Sequence, residues 1–149
     1  MTTTVHVAPG EGAHHVLLDG DHVAKTAVAD GTRGFEVFEV VSRPGPPVPP
    51  HRAPWTAVLY LVEGRVTAHV DGTAYDVAPG AVLVLPAGRP ATFEPGPDGA
   101  RFVAVTWGDR AGAFFADMAR SLPLERAASI RVEDVLAVTG RHGVVLDAP

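Results

Sequence analysis

His51 closes a proline-rich run, GPPVPPH, and opens the stretch HRAPWTAVLYLVEG that ends at Gly64. It is the side chain best suited to moving a proton, because an imidazole changes charge close to neutral pH and so serves as a general base or acid. Glu39, in GFEVFEVV, is the second candidate. On a strand Phe35, Val37, Glu39 and Val41 share one face and Glu36 points to the other. If Glu39 faces inward, burial raises its carboxyl pKa and fits it for proton transfer; if Glu36 is the inward residue, Glu39 is a solvated strand charge. Tyr60, Tyr75 and Arg101 are the side chains available to orient a polar or anionic ligand. The other histidines are His6, His14, His15, His22, His69 and His142. His69, on the segment after Gly64, is placed to approach His51, which leaves open a two-histidine metal site completed by Glu39 or Glu36. Ser42, Ser121 and Ser129 lie in no G-x-S-x-G elbow, and no Walker loop or dinucleotide fingerprint occurs.

The elements that must hold these residues are mostly short strands. HHVLLDG, HVAKTAV, GFEVFEVV, WTAVLYLV, RVTAHV, TAYDV, AVLVLP, ATFEP and RFVAVTW are Val-rich segments of strand length. They are separated by DGD, ADGTRG, EG, DG, APG, PAG and PGPDG, which supply the φ values of tight turns. Nine such strands predict an all-β sandwich or barrel. Near the C-terminus the period changes. Ala111, Phe114, Phe115 and Met118 form a helical stripe ended by Pro123, and Val132, Val135, Leu136 and Val138 form a second, with Gly140 or Gly143 as its stop. The proline cluster RPGPPVPP reads as a stiff lead-in to a strand rather than a linker, since the strand pattern continues on both sides. One domain over 1–149 is expected, with the barrel at about 5–107 and two C-terminal helices at about 109–143.

Composition narrows the partners. The chain has 149 residues, is 46% hydrophobic and carries a net charge of −5, and Lys25 is its one lysine. Without a basic patch, neither a nucleic acid nor a membrane surface is an expected partner. The absence of cysteine excludes disulfides and thiolate metal sites. No signal-peptide pattern opens MTTTVHVAPG, and no apolar run approaches the ~20 residues of a membrane span, so a cytoplasmic location is expected.

Two motifs then carry a family resemblance. Gly45, five residues, His51 and a closing Gly64, followed by Gly80, Pro86 and Gly88 at matching spacings, resemble the two motifs of the cupin superfamily, in a chain similar to the quercetin-dioxygenase-like branch. The resemblance implies a double-stranded β-helix, a jelly-roll-like barrel, and a homodimer. It places the four family metal ligands at His51, Ala53, Ala57 and Ala91, and the motif asparagine at Pro95. A methyl group coordinates nothing, so no metal and no other cofactor is expected. With His51, Ala53, Trp55, Ala57, Leu59 and Leu61 on one interior face, the exchange of ligands for alanine implies a wider, apolar cavity, unless Trp55, Phe93, Phe102 and Trp107 refill it. The residues expected to meet a ligand are Ala53, Trp55, Ala57, Leu59, Tyr60, His69, Ala91, Phe93, Arg101 and Trp107, with His51 and Glu39 as catalytic groups. A metal-independent enzyme acting on an apolar small molecule is expected, a cyclase, isomerase or dehydratase of bacterial secondary metabolism. The alternatives are a non-catalytic small-molecule sensor or carrier and a dioxygenase-like protein with a non-standard ligand set.

Overall fold

The computed structural model describes residues 3–147; the two residues at each end of the expected domain, 1–149, lie outside the described residues. Nine strands are found among the described residues: β1 Ala13–Leu17, β2 Gly20–Asp30, β3 Arg33–Ser42, β4 His51–Arg52, β5 Ala57–Val70, β6 Thr73–Val77, β7 Val82–Leu85, β8 Ala91–Trp107 and β9 Val145–Leu146. All pairings are antiparallel. The long strands β5 and β8 run side by side and bend together. The first half of β5, Ala57 to Gly64, pairs with the last part of β8, and Val66–Val70 pairs with Pro95 back to Ala91. One half of the barrel is therefore β1-β2-β3-β8-β5-β7, and the other is built from β6, β5, β8, β4 and β9. This curled sheet is the jelly-roll-like barrel expected from the motifs.

The bend explains where the sequence pattern misled. WTAVLYLV with RVTAHV, and ATFEP with RFVAVTW, are single strands, and the EG and PGPDG expected as turns lie within them. Register shifts fall between Leu61 and Glu63 and between Gly64 and Val66. Gly64 has φ +79°, and a Cβ there would strike the backbone of Gly99 on the partner strand. Only glycine tolerates both demands, so the bulge reads locally like a hairpin turn.

Phe38, Leu61 and Val40, each at most 2% exposed, form the centre of the core with Phe102 and Val66. Two α-helices follow the barrel, α1 Ala111–Ser121 and α2 Val132–Arg141, joined by a short 3-10 helix over Leu124–Ser129 that the periodicity did not foretell. Of the two candidate stops, Gly143 (φ +70°) follows the end of α2, whereas Gly140 lies inside it. Phe115 of α1 lays its ring edge-on against Phe38 (5.2 Å, 89°). Arg110 gives α1 no side-chain cap; instead Glu36 Oε1, from β3, accepts from the Gly112 amide at 3.2 Å. A carboxylate there satisfies an orphan N–H and meets the positive end of the helix dipole. Glu36→Ala is accordingly expected to lower the melting temperature by roughly 3 °C, the equivalent of losing a cap of about 1 kcal/mol, without loss of any activity; thermal denaturation with an activity assay checks this. Among the described residues no helix is long and apolar enough to cross a membrane.

Candidate functional site

His51 owes its setting to the proline run before it. Val48 is held to β8 on both sides: its N–H donates to the Phe93 carbonyl at 2.9 Å, and its carbonyl accepts from Thr92 Oγ1. Pro49 and Pro50 then fix φ, and a proline following Pro49 restricts it to extended backbone. The Pro49 carbonyl is thereby aimed at His51, whose Nδ1 lies 2.9 Å from it. A carbonyl oxygen only accepts, so Nδ1 carries the proton and a neutral imidazole presents Nε2 as a lone pair. On its outer side His51 is straddled by the chain terminus: His51 pairs with Leu146, Asp147 N–H donates to the Pro50 carbonyl at 2.9 Å, and Arg52 forks onto the Asp147 carboxylate at 2.8 and 3.3 Å.

His51 lines an apolar cavity of about 40 Å³ inside the barrel. The floor is buried Leu59, Leu61, Val66, Val77, Leu83 and Phe102, with Ala68; the half-buried rim is His51, Leu85, Ala91, Thr92 and Phe93. Among the lining residues only His51 and Thr92 have polar side chains, and the Thr92 hydroxyl is committed to Val48. A void of this size holds about one water or a methyl-sized group, so it is much smaller than expected from the loss of ligand side chains. Phe93 and Phe102, packed edge-on at 6.2 Å, occupy the volume. Refilling by these neighbours, one of the two readings of the sequence, accounts for most of the space.

The structure divides the candidate residues. Leu59, Ala91 and Phe93 line the cavity with His51, and Ala91 is the direct cross-strand partner of His51. Ala57 is buried beside the cavity without lining it. Ala53 and Trp55 do not line the cavity, because residues 53–56 break β4 from β5; Trp55 packs against the edge of the core, its ring 5.7 Å from that of Phe114 of α1. Glu39 faces outward, since Phe38, Val40 and Ser42 take the inner side of β3. Its carboxylate meets Arg101 (3.5 Å), which also binds Glu63 (3.0 Å) and holds the Glu63 carboxyl below its ordinary range. Arg101 and Tyr60 are thus on the outer face, as is Trp107, 52% exposed. His69 points outward too: the bulges around Gly64 reverse the alternation, putting Val66, Ala68 and Val70 inside and His69 out. None of the remaining histidines described lines the cavity. His14 pairs with Asp21 at 2.7 Å, which raises its pKa, and His142 pairs with Asp117 at 2.7 Å. His22 is stacked on Phe115 at 4.5 Å, and burial lowers its pKa.

Leu61 and Phe102 were legible as core but not as cavity wall, and Val66, Ala68, Val77, Leu83, Leu85 and Thr92 were not singled out. Val66, Ala68, Val77 and Thr92 lie in the second half of the barrel and Leu83 and Leu85 on β7 of the first, a juxtaposition made by the β5–β8 bend. The donor set does not fit a cupin metal: beside His51 the ligand positions are methyl groups, and among the described residues no three His, Cys, Asp or Glu converge.

Residues 38–106 match the family model described as Cupin domain. Among solved structures the chain is similar to the polyketide cyclase RemF from Streptomyces resistomycificus, at 24% identity over 73% of this chain and 82% of that one, TM-score 0.61. It is likewise similar to KdgF from Halomonas sp. (16% identity, 74% and 99% covered, TM-score 0.62) and to an RmlC-like cupin from Shewanella frigidimarina (14%, 75% and 97%, 0.62). At these identities the likeness is one of fold. No curated protein sequence matches the chain. The matched segment, the bent β5–β8 pair and the likeness to these structures together show that the chain has the cupin fold.

Proposed function

We propose that this cupin-fold protein is a metal-independent enzyme that moves a proton on an apolar small molecule, in a cyclisation, isomerisation or dehydration of bacterial secondary metabolism. The observation that carries the reading is the 2.9 Å contact between His51 Nδ1 and the Pro49 carbonyl, in a side chain that lines an otherwise apolar cavity; it assigns the proton to Nδ1 and leaves the Nε2 lone pair for chemistry. Only a small apolar part of the substrate enters the void; its reacting carbon sits at the rim beside Nε2, between Ala91, Phe93 and Leu85. There the histidine abstracts a proton next to an activating carbonyl and returns one to the product, while the rim side chains fix the approach. One protein of similar fold is a polyketide cyclase, and cyclisation is among the reactions proposed here. A carrier or sensor would use the same cavity without turnover. Incubation with 1-tetralone in D₂O separates these readings: the enzyme accelerates α-deuterium incorporation, seen by NMR, in protein freed of adventitious metal. A rate equal to buffer, or one that appears only with added metal, rejects the proposal.

The outer sheet face supports the homodimer. Val84, Val58, Val105 and Val37 form one cross-strand row, Val82, Tyr60 and Val103 the next, and Trp107 pairs with Phe35 beside them. Val82 is 60% exposed and Tyr60 48%. The rows make a contiguous run of exposed apolar side chains, the kind of surface that marks a contact between proteins. A second copy packed sheet to sheet covers it. Val82→Asp, on the solvent side of edge strand β7, is expected to shift the protein from dimer to monomer in sedimentation equilibrium with its melting temperature little changed; a monomeric parent protein rejects the dimer.

A further inference from the structure

Away from the barrel, the C-terminal helices enclose a groove of about 330 Å³, far larger than the cavity at His51 and within the range of small-molecule sites. Its apolar side is Leu122, Pro123, Ile130 and Val138, and its polar side is Arg126, Arg141, Ser121 and Ser129, with Asp134 at the edge. The two arginines that line it both keep guanidinium donors unspent. Arg141 spends Nε and Nη2 on Asp117 (3.0 Å each) and Nη2 also on Ser121 Oγ (3.3 Å), so its Nη1 is uncommitted. Among the described residues the Arg126 side chain makes no hydrogen bond or close ion pair, and its charge acts at longer range on Asp134. Its backbone leaves helical geometry (φ −108°, ψ 18°) in the sparsely allowed bridge region where many functional residues sit. Asp134, which would repel an anion, is taken by Arg131: the Arg131 N–H donates to it at 2.9 Å and the guanidinium lies at 3.4 Å. Glu125 and Glu133 stand on these helices but do not line the groove. Two cationic forks with unspent donors therefore face an apolar wall in a protein of net charge −5.

We propose that this groove is a second binding site, for a small organic carboxylate. The carboxylate bridges Arg126 and the Nη1 edge of Arg141, with the Ser129 hydroxyl nearby, and the apolar body lies on Leu122, Ile130 and Val138. A guanidinium suits this role because its planar donors match a carboxylate, and a buried apolar body adds the affinity that an exposed ion pair lacks. The site is independent of the chemistry assigned to His51.

The test titrates ¹⁵N-labelled protein with sodium benzoate, with neutral benzamide and inorganic phosphate as controls. Benzoate is expected to give saturable amide shifts confined to Ser121, Arg126, Ser129, Ala137 and Arg141, with a Kd of about 1 mM or tighter. Benzamide and phosphate bind at least about tenfold more weakly, and Arg126→Ala weakens benzoate by about tenfold. Arg126 is exposed and unbonded, so Arg126→Ala folds, which an unchanged spectrum elsewhere verifies; Arg126→Lys recovers only part of the affinity. Absence of saturation, equal binding of benzamide or phosphate, equal binding by Arg126→Ala, or shifts located at the His51 cavity instead would each overturn the proposal.

Discussion

Replacing His51 with glutamine is expected to lower the rate of α-proton exchange by about 10²–10⁴-fold, the usual contribution of a positioned general acid–base. The melting temperature should move by less than about 3 °C. The two expectations separate because of what each nitrogen does. The Nδ1–H···Pro49 bond is structural, and a glutamine amide N–H can reach the same carbonyl; the Nε2 lone pair has no counterpart in an amide, whose nitrogen is not basic. His51 is half-buried at the rim rather than packed in the core, so the substitution opens little void. Nothing else at the cavity can take over, because Thr92 is the other polar lining residue and its hydroxyl is bound to Val48. Deuterium incorporation by the parent protein and the variant, measured side by side with circular dichroism melts, decides the matter. Equal exchange rates would remove His51 from the chemistry, and a collapse of the melting temperature would make it a structural residue.

The frame of the site could be read from the sequence more easily than its contents. Gly45, Gly64, Gly80, Pro86 and Gly88 announce the barrel because backbone shape restricts those positions to a few residue types, and residue type is visible in a sequence. Which face of a strand turns inward is a weaker signal when both faces are apolar. On β3, Phe35 and Val41 compete with Phe38 and Val40, so hydrophobicity alone placed Glu39 and Glu36 equally well inside. The structure puts Phe38 in the core and leaves Phe35 39% and Val41 43% exposed. The outer face reads as interior because it is itself apolar, the property that suits it to a second copy. His69 was misplaced for a different reason: a bulge shifts the alternation by one, and each side chain beyond it changes face. The proline run shows the opposite case. Its rigidity was legible, but that the rigidity serves to aim one carbonyl at Nδ1 of His51 depends on the clamp between Val48 and β8, formed by residues more than forty positions apart.

Loss of Asp117 should be the most destabilising polar change in the C-terminal region, on the order of 2–3 kcal/mol for Asp117→Ala, or about 8 °C in melting temperature. The carboxylate is 7% exposed on α1 and gathers Arg141 (3.0 Å at both oxygens), Ser121 Oγ (2.7 Å), His142 Nε2 (2.7 Å) and Arg120 (3.2 Å). Arg141, then Ser121 and His142, hold its carboxyl far below the ordinary carboxylate range, while burial opposes them. Arg120 and Arg141 are well exposed and recover hydration when the carboxylate is removed, which keeps the loss below that of a fully buried pair. The sign of the pH dependence follows from the lowered pKa. Stability from Asp117 is complete above its unfolded pKa, near 3.9, and is lost as pH falls through the lower folded value. The stability gap between the parent protein and Asp117→Asn should therefore narrow as pH drops below about 4, and a gap that widens there would contradict the assignment. The effect extends to the cavity, because His142 ends α2 and the chain then runs through Val144, whose N–H is held by the Thr139 carbonyl at 3.0 Å, into β9. That strand pairs Leu146 with His51. Asp117→Ala should accordingly raise amide exchange at Leu146 and His51 more than at Leu61 in the barrel centre, and lower proton-transfer activity even at temperatures where the variant remains folded. Unchanged exchange at His51 in a folded variant would mean that the C-terminal helices do not position the strand that carries His51.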